Sequence, residues 1–232
     1  MTTPAVEQAL HGCTAHRSGR MARHDPAYEM TKRVFDVLGA SVLGVVTLPL
    51  IVFLLIVAPI TSKGAPIHRQ RRRGRGGREI VVYKFRTMTC VADGQGHHLA
   101  ARWPAEVGAA RRSPGPRITR LGRWLRQFSV DELPQLWNVL RGATSLVGRR
   151  PILAVDHERF VHEQSRRRSW QEARETCTPG LTGLWQVSGR NDLPSSELVR
   201  LDLENAECRS SWLDLTIILR TIPAVLSRRG AY

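Results

Sequence analysis

The sequence predicts an α/β protein in which helices dominate, with one membrane segment and one globular domain that contains a small β-sheet. Three stretches support this prediction. An uncharged apolar run extends from 37 to 60, a short alternating stretch from 79 to 88, and a basic amphipathic stretch from 117 to 140. The sequence has no evident internal repeat, which favours a single domain beside the membrane segment.

The chain is strongly basic. It carries 35 Lys and Arg against 20 Asp and Glu, which gives a net charge of +15 at pH 7. Such an excess indicates an anionic partner, which includes nucleic acid, a membrane surface and a phosphorylated substrate. Aromatic residues make up only 6% and are not interleaved with the basic ones, so nucleic acid is disfavoured. The cysteines form no CxxC pair and there is no HExxH motif, which disfavours a zinc site.

The N-terminal part divides into a polar leader, 1–28, and an apolar segment, 30–61. The leader lacks apolar periodicity and is predicted to be disordered. The apolar segment exceeds the roughly 20 residues that cross a bilayer, and Pro49 is predicted to kink it. Both flanks are basic, and Lys and Arg favour the cytoplasmic side. The charges therefore favour a helix that breaks at Pro49 and re-enters the same side, with a single-pass helix as the alternative.

The stretch after the membrane segment continues this basic character. Residues 62–77 are predicted to form a Gly-rich loop whose arginine run, 71–75, faces solvent or lipid. Residues 79–88 alternate and are predicted to form a strand with Lys84 and Arg86 on one face. Two cations on one face could grip a diphosphate, although an exposed strand face would look the same.

The stretch 117–140 contains two predicted helices. The first repeats arginine at every third position between apolar residues, which is typical of a basic amphipathic helix on an anionic surface. The second is predicted to begin with a capping box, in which Ser129 is the N-cap and Glu132 the third residue. On that interpretation Glu132 caps the helix and Asp131 merely offsets the helix dipole.

The same two carboxylates also suit phosphoryl transfer. A helix N-terminus binds phosphate and keeps a carboxylate ionised. An ionised Asp131 could attack phosphorus, Glu132 could hold a divalent cation, and Arg126 could supply further positive charge. The residues alone leave both interpretations open.

Further candidate residues lie in the C-terminal part. Arg149 and Arg150 stand before a proline in a predicted turn, and arginine suits bidentate contact with phosphate. The Gly-rich stretch 178–191, which contains Arg190, is predicted to be a compact binding loop, although simple turns have the same composition.

Two helices are predicted to complete the chain, over Ser195–Glu207 and Ser211–Leu226. The second is amphipathic but too short and interrupted to span a bilayer, so it is predicted to lie along the membrane interface. Asp214 inside it is a candidate site residue, with an ion-pair or helix-end role as the alternative.

Several short motifs occur together and in order, at 32–36, 84–88, 117–123, 129–135, 138–140, 145–148, 179–190 and 230–232. Each motif is weak alone, whereas the ordered set is specific. Over residues 30–232 it resembles the bacterial sugar transferase family of monotopic polyprenyl-phosphate phosphoglycosyl transferases. The likeness is to the short, catalytic-domain form of the family.

The resemblance implies an enzyme that moves a sugar-1-phosphate from a nucleotide-sugar, usually a UDP-sugar, to undecaprenyl phosphate. UMP is released, and the step initiates polysaccharide or glycoconjugate synthesis. Asp131 matches the family's nucleophile, which carries the phospho-sugar covalently, and Glu132 matches the residue that binds Mg²⁺. Family phosphate-binding cations match Lys84, Arg126 and Arg150, and Asp214 matches a late acidic site of the family. With the candidates taken from the residues themselves, the predicted substrate- and phosphate-binding set is Lys84, Arg86, Arg126, Arg150, Arg190 and Asp214.

The resemblance also implies a location. A re-entrant helix kinked at Pro49 would anchor a cytoplasmic domain, 62–232, to the cytoplasmic face of the bacterial inner membrane. The expected partners are that membrane, undecaprenyl phosphate and a nucleotide-sugar, with a homodimer left open. A non-catalytic, membrane-anchored adapter of a polysaccharide assembly complex is the alternative, because it would share the basic charge and the anchor.

The chain departs from the family pattern outside the two carboxylates. These departures concern the surroundings of Arg150 and the sugar preference. They are Gly115 in place of Asp, Arg71 in place of an acid, Arg149 in place of Pro, and Asn205 in place of an aromatic residue.

Overall fold

A computed structural model describes residues 25–62, 64–89, 118–151, 175–228 and 230. The predicted leader up to residue 24, and Gly115, lie outside these residues. Six α-helices are described: α1 (Pro26–Ser62), α2 (Arg120–Gln127), α3 (Leu136–Leu140), α4 (Leu184–Ser188), α5 (Ser195–Glu207) and α6 (Ser211–Leu226). The described strands are β1 (Ile67–Arg73), β2 (Glu79–Phe85), β3 (Ser145–Val147) and β4 (Gly180–Thr182), with 3₁₀ turns at Arg75–Gly77, Val130–Gln135 and Arg190–Asp192.

The described strands form two small sheets. β1 and β2 pair as an antiparallel hairpin, with Ile67 opposite Phe85, and β3 pairs with β4 in parallel. The prediction of a helix-dominated α/β fold with little sheet is confirmed. The predicted bounds of α5 and α6 are also confirmed.

The predicted basic loop at 62–77 is wrong, because Ile67–Arg73 within it form β1. Pairing with β2 supplies the hydrogen bonds that the arginine run could not make alone, and Gly76 and Gly77 turn the chain with φ of +65° and +70°. Alternation then sends Arg71 to solvent and Arg72 into the protein. Arg72 is stabilised there because it donates hydrogen bonds to the Pro151 carbonyl and the side-chain oxygen of Gln70.

Helix α1 has 37 residues and is long and apolar enough to cross a membrane. It begins at Pro26, inside the predicted leader, and it continues through Pro49. The predicted re-entry at Pro49 stays a prediction. Many apolar side chains in its middle part are exposed. Helix α1 is therefore not the buried core helix of a soluble domain, and these side chains need lipid or another apolar surface to shield them from water. These side chains include Val42, Val45, Val46, Leu48, Phe53 and Ile56.

The first turns of α1 are fixed to the domain by polar contacts. Arg33 donates hydrogen bonds to the carbonyls of Val139 and Leu140 at 2.6 Å each, which caps the C-terminus of α3. Buried Asp36 accepts hydrogen bonds from the Ser145 hydroxyl at 2.9 Å and the Leu146 amide at 2.8 Å. The residues that flank the apolar segment therefore also attach α1 to α3 and β3.

Replacing Asp36 by alanine is expected to destabilise the fold. The Ser145 hydroxyl and the Leu146 amide would lose their buried acceptor, and each such loss costs about 1–3 kcal/mol. The Tm of the purified protein in detergent should therefore fall clearly. Asp36→Asn keeps an acceptor oxygen and should lose less; equal Tm values for the parent and both variants would contradict this account.

Two apolar clusters hold the domain together and flank the 3₁₀ helix at Val130–Gln135. One gathers Ala40 of α1 with residues of α3, β3, α4, α5 and α6. The other joins Leu54 of α1 to Phe85 of β2 and Leu125 of α2. Leu133 packs against both clusters, so the residues beside it are held between them.

Candidate active site

The two adjacent carboxylates lie on the 3₁₀ helix Val130–Gln135, and the predicted capping box is wrong. Ser129 stands at the N-cap position in the left-handed conformation, with φ of +53°, and its side chain caps no amide. Its hydroxyl instead accepts a hydrogen bond from Arg190, 61 residues away in the chain. A left-handed serine is strained, and such strain concentrates at functional sites.

Asp131 is a buried carboxylate with 9% of its surface exposed, and it forms no ion pair within the described part of the chain. Burial raises the pKa of Asp131 to about 6. The Lys84 charge lowers the pKa, the Glu132 charge raises it, and the Arg126 charge lowers it. At neutral pH most of the carboxylate is therefore ionised, and it is surrounded by positive charge without direct neutralisation.

Glu132 pairs directly with Lys84, whose Nζ lies 2.5 Å from Oε1. Burial raises the pKa of Glu132, but the charges of Lys84, Arg150 and Arg190 outweigh burial and lower it overall. Glu132 is therefore ionised at neutral pH. No described residue donates a hydrogen bond to its other oxygen, Oε2, which stays available to a ligand.

Arg126 reaches the site from the last turn of α2. Its Nε donates a hydrogen bond to the Thr87 hydroxyl at 3.0 Å. Burial lowers the pKa of Arg126, and the Asp131 charge partly raises it. Helix α2 lies close against this segment because Gly122 has no side chain: a Cβ there would stand 2.1 Å from the Thr87 carbonyl oxygen. The predicted basic helix is thus confirmed over Arg120–Gln127, and it brings one arginine inward.

Two arginines from later segments complete the cationic side. The guanidinium of Arg150 stacks on the ring of Trp185 at 4.4 Å. Burial lowers the pKa of Arg150 to about 10. The Glu132 charge raises this pKa, and the Arg190 charge lowers it further. Arg190 is 7% exposed, has a φ of +57°, and its Nη1 atom has no hydrogen-bond partner among the described residues. These two guanidiniums repel each other, and a further anion between them would relieve that repulsion.

Three further residues, which the sequence pattern does not indicate as site residues, hold the site residues in place. Asn138 connects α3 to the β2 edge: its Nδ2 donates to the Val81 carbonyl at 2.6 Å, and its Oδ1 accepts from the Tyr83 amide at 3.2 Å. This contact places Lys84 opposite the carboxylates. Thr87 and Trp185 similarly orient Arg126 and Arg150. Asn138, Thr87 and Trp185 lie in short motifs that are visible in the sequence, but the residues that they contact lie far away along the chain.

Two predicted site residues occupy other surroundings. Arg86 lies beyond the end of β2 rather than beside Lys84 on a strand, and its Nη1 is 2.6 Å from where a Cβ on Gly64 would stand. Asp214 accepts hydrogen bonds from Lys32 at 2.7 Å and from the Tyr28 hydroxyl at 3.0 Å. Asp214 therefore joins the first turns of α6 and α1, as its ion-pair alternative requires. Substrate contact by either residue stays a prediction.

The arrangement fits a divalent cation that arrives with a phosphorylated ligand. No group of three or more His, Cys, Asp or Glu that could hold a metal ion occurs among the described residues. Glu132 nevertheless offers an ionised carboxylate with one oxygen available. Mg²⁺ is commonly bound by one or two carboxylates together with substrate phosphates. The residues thus fit a shared Mg²⁺ site rather than a cage built from protein alone.

Sequence comparisons give the site its family context. The pattern of the family described as "Bacterial sugar transferase" matches residues 27–228. The UDP-glucose:undecaprenyl-phosphate glucose-1-phosphate transferase of Caulobacter vibrioides is 40% identical over 211 residues, which cover 89% of this chain and 73% of that protein. The exopolysaccharide production protein ExoY of Rhizobium meliloti is 37% identical over 211 residues, covering 89% and 90%.

Some relatives are much longer than this chain. The UDP-galactose-lipid carrier transferase of Erwinia amylovora is 37% identical over 222 residues, which cover 93% of this chain but only 44% of that protein. The match therefore concerns less than half of the longer relatives and most of the shorter ones. The length of the family match, together with these identities, shows that the chain belongs to the bacterial sugar transferase family.

Proposed function

We propose that the protein transfers a sugar-1-phosphate from a nucleotide-sugar, in particular a UDP-sugar, to undecaprenyl phosphate. The substrate classes follow from the activities after which relatives such as the Caulobacter enzyme are named. The observation that carries the proposal is the state of Asp131: it is buried, ionised at neutral pH and surrounded by cations that do not neutralise it by contact. A binding scaffold needs no such group, so the adapter alternative is not favoured.

The proposed chemistry has two displacements at one phosphorus atom. A carboxylate oxygen of Asp131 attacks the β-phosphorus, and the bond from that phosphorus to the bridging oxygen breaks, so UMP leaves with the bond's electron pair. The sugar-phosphate is then an acyl phosphate on Asp131. A phosphate oxygen of undecaprenyl phosphate attacks the same phosphorus and expels the Asp131 carboxylate, which forms the lipid diphosphate sugar and regenerates the enzyme.

The cations have separate positions in this proposal. Lys84 approaches from β2, Arg126 from α2, and Arg150 with Arg190 from the C-terminal segments. Together they could neutralise the diphosphate oxygens as negative charge develops on the leaving phosphate. Glu132 would hold Mg²⁺ together with the substrate phosphates, and the ion would supply additional charge neutralisation.

The surface of the protein supports a membrane position for the reaction. A run of α6 side chains is exposed and apolar, as expected of a helix in a lipid interface. These side chains are Trp212, Leu215, Leu219, Ile222 and Leu226.

Helix α1 supports re-entry, because residues before and after Pro49 contact one domain. Ala40 packs into one core cluster and Leu54 into the other, while much of the surface between them is exposed. A compact domain lies on one side of a bilayer, so the parts of α1 before and after Pro49 would both lie on that side. The net charge of +15 and the positive-inside tendency favour the cytoplasmic side of the inner membrane.

The proposal is tested with purified protein, undecaprenyl phosphate, Mg²⁺ and a panel of UDP-sugars. Release of UMP and formation of a lipid-linked sugar diphosphate are expected with at least one donor. Donor without lipid acceptor should also add one hexosyl-phosphate to the protein, detected by intact mass and located at Asp131 by peptide mapping. Absence of UMP release with every nucleotide-sugar would contradict the proposal and favour the adapter.

The rate of transfer is expected to depend on the ionisation of Asp131. Its pKa of about 6 is raised by burial, and the nucleophile is the deprotonated form. The active form is therefore present above about pH 6 and is lost as pH falls through that value. We expect kcat/KM to fall about tenfold per pH unit on the acid side.

A variant tests whether the fall of kcat/KM at low pH, the acid limb of the pH profile, is caused by protonation of Asp131. Lys84 lowers the pKa of Asp131, so Lys84→Met should move the limb to higher pH as well as reduce the rate. The control is Arg71→Met, which removes an exposed arginine from the neighbouring strand β1. A limb that stays at the same pH in Lys84→Met would contradict the assignment to Asp131.

A further inference from the structure

Among the described residues, Arg149 is the most completely buried of the large polar side chains, with 2% of its surface exposed. Its guanidinium is held by three backbone carbonyls from two distant segments. Nε donates to the Cys177 carbonyl at 3.2 Å, while Nη2 donates to the Gly74 and Arg73 carbonyls at 2.9 and 3.3 Å. Arg149 thus fastens the turn of the β1–β2 hairpin to the segment that leads into β4.

The backbone of the same stretch is fastened on both sides of Arg150. The Gly180 amide donates to the Arg149 carbonyl at 2.9 Å, and Arg149 forms a parallel bridge with Pro179. On the other side of Arg150, Arg72 donates a hydrogen bond to the Pro151 carbonyl. Arg150 is therefore the residue between two anchored neighbours.

Close packing reinforces this placement. A Cβ on Gly148 would lie 2.4 Å from the Thr178 carbonyl oxygen, so the chain just before Arg149 has no spare room. Gly148 also donates its amide to the Thr182 carbonyl at 2.8 Å. The backbone that carries Arg150 is thus constrained on both sides, although it lies beyond the end of β3.

We propose that Arg149 is a positioning residue, which sets the guanidinium of Arg150 against Trp185 and toward Glu132. This inference rests on the proposed function, because it assigns Arg150 to the substrate diphosphate. A cation on a long flexible side chain binds an anion better when its position is fixed before the ligand arrives. Arg149 is suited to this because its planar group carries five donors in a fixed fork and reaches carbonyls on two segments from separate nitrogen atoms, whereas a lysine donates from a single atom.

The test is a double-mutant cycle in the full-length protein. Arg149→Met, Arg150→Met and the double variant are compared with the parent by UMP release at varied UDP-sugar concentration. Arg149→Met is expected to lower kcat/KM about tenfold, and to lower it less than about twofold when Arg150 is already methionine. That loss of additivity is the signature of an effect transmitted through Arg150.

Two further variants separate positioning from general stability. Arg73→Met removes another hairpin guanidinium, which donates to the Gly77 carbonyl, and leaves the carbonyls that Arg149 contacts. It should leave kcat/KM within about twofold of the parent. Arg149→Lys retains the charge but reaches fewer carbonyls, so it should be intermediate, and it supplies the cycle if Arg149→Met does not fold.

The outcomes are distinct. Independent, multiplicative losses in the double variant would overturn the positioning role, as would unchanged kinetics in a folded Arg149→Met. A parent that releases no UMP with any UDP-sugar would overturn the proposed function and this inference with it. An active parent with additive losses would overturn this inference alone.

Discussion

Asp131→Asn is expected to abolish transfer, with kcat reduced on the order of 10⁴-fold or more, as when an enzyme loses its nucleophile. An amide is uncharged and a poor nucleophile, so no phospho-sugar can form on the side chain. The size and burial of the residue are nearly unchanged, which makes the loss specific to chemistry. The measurements are UMP release and intact mass after incubation with donor alone.

A matched substitution guards against a general effect of replacing an aspartate. Asp25 is exposed and accepts hydrogen bonds from the Ala27 and Tyr28 amides at the start of α1. Asparagine caps helices about as well as aspartate, so Asp25→Asn should keep full activity. Substantial transfer by Asp131→Asn, with a donor-dependent mass increase, would show that another group is the nucleophile.

Asp131→Asn should also be more stable than the parent near pH 7.5. Burial raises the pKa of folded Asp131 to about 6, above its value in the unfolded chain, so the protonated form is favoured by folding. The stability that the protonated Asp131 contributes is present below the pKa of this residue in the unfolded chain, and it is lost as pH rises through about 6. Asparagine removes the buried charge, and a higher Tm is expected at pH 7.5. A lower Tm would mean that the ionised carboxylate stabilises the site.

The sequence was most informative where the controlling interactions are local. The bounds predicted for α5 and α6 agree with the structure, and the arginine spacing of α2 predicts its basic face. The adjacent Asp131 and Glu132 were identified as candidates because two acids beside a helix start are chemically conspicuous. Their ionisation could not be predicted, since it depends on burial and on cations from β2, α2 and two later segments.

The errors arose where distant contacts override local preference. Ser129 and Glu132 have the spacing of a capping box, but Arg190 engages the Ser129 hydroxyl and the backbone there is left-handed. The arginine-rich stretch at 71–75 has the composition of a loop, yet its first half pairs with β2 and buries Arg72. Arg190 lies 61 residues from Ser129, and the Pro151 carbonyl that accepts a hydrogen bond from buried Arg72 lies 79 residues from it.

The basic composition likewise has more than one physical basis. Net charge indicates an anionic partner, and Arg126, Arg150 and Arg190 interact with the carboxylates of Asp131 and Glu132, where we propose that the phosphates bind. Arg33, Arg72 and Arg149 instead donate to backbone carbonyls within the fold. Charge counting cannot separate these two groups, because every arginine adds the same positive charge wherever the fold places it.

Glu132→Gln is expected to reduce kcat/KM on the order of 10²- to 10³-fold without preventing folding. Glutamine retains an acceptor for Lys84 but removes the charge that Lys84, Arg150 and Arg190 offset. The site would become more cationic and would lose the carboxylate proposed to hold Mg²⁺. Stronger binding of UMP without Mg²⁺, together with slower turnover, is therefore expected.

A Mg²⁺ titration distinguishes a metal ligand from a simple partner of Lys84. If Glu132 holds the ion, Glu132→Gln should require a higher Mg²⁺ concentration for half-maximal rate, whereas Lys84→Met should reduce the rate with a smaller change in that concentration. Glu79→Gln, which removes an exposed carboxylate paired with Arg71, is the matched control. An unchanged Mg²⁺ requirement in Glu132→Gln would assign Glu132 to charge balance around Lys84, and the metal would then need its protein contacts elsewhere.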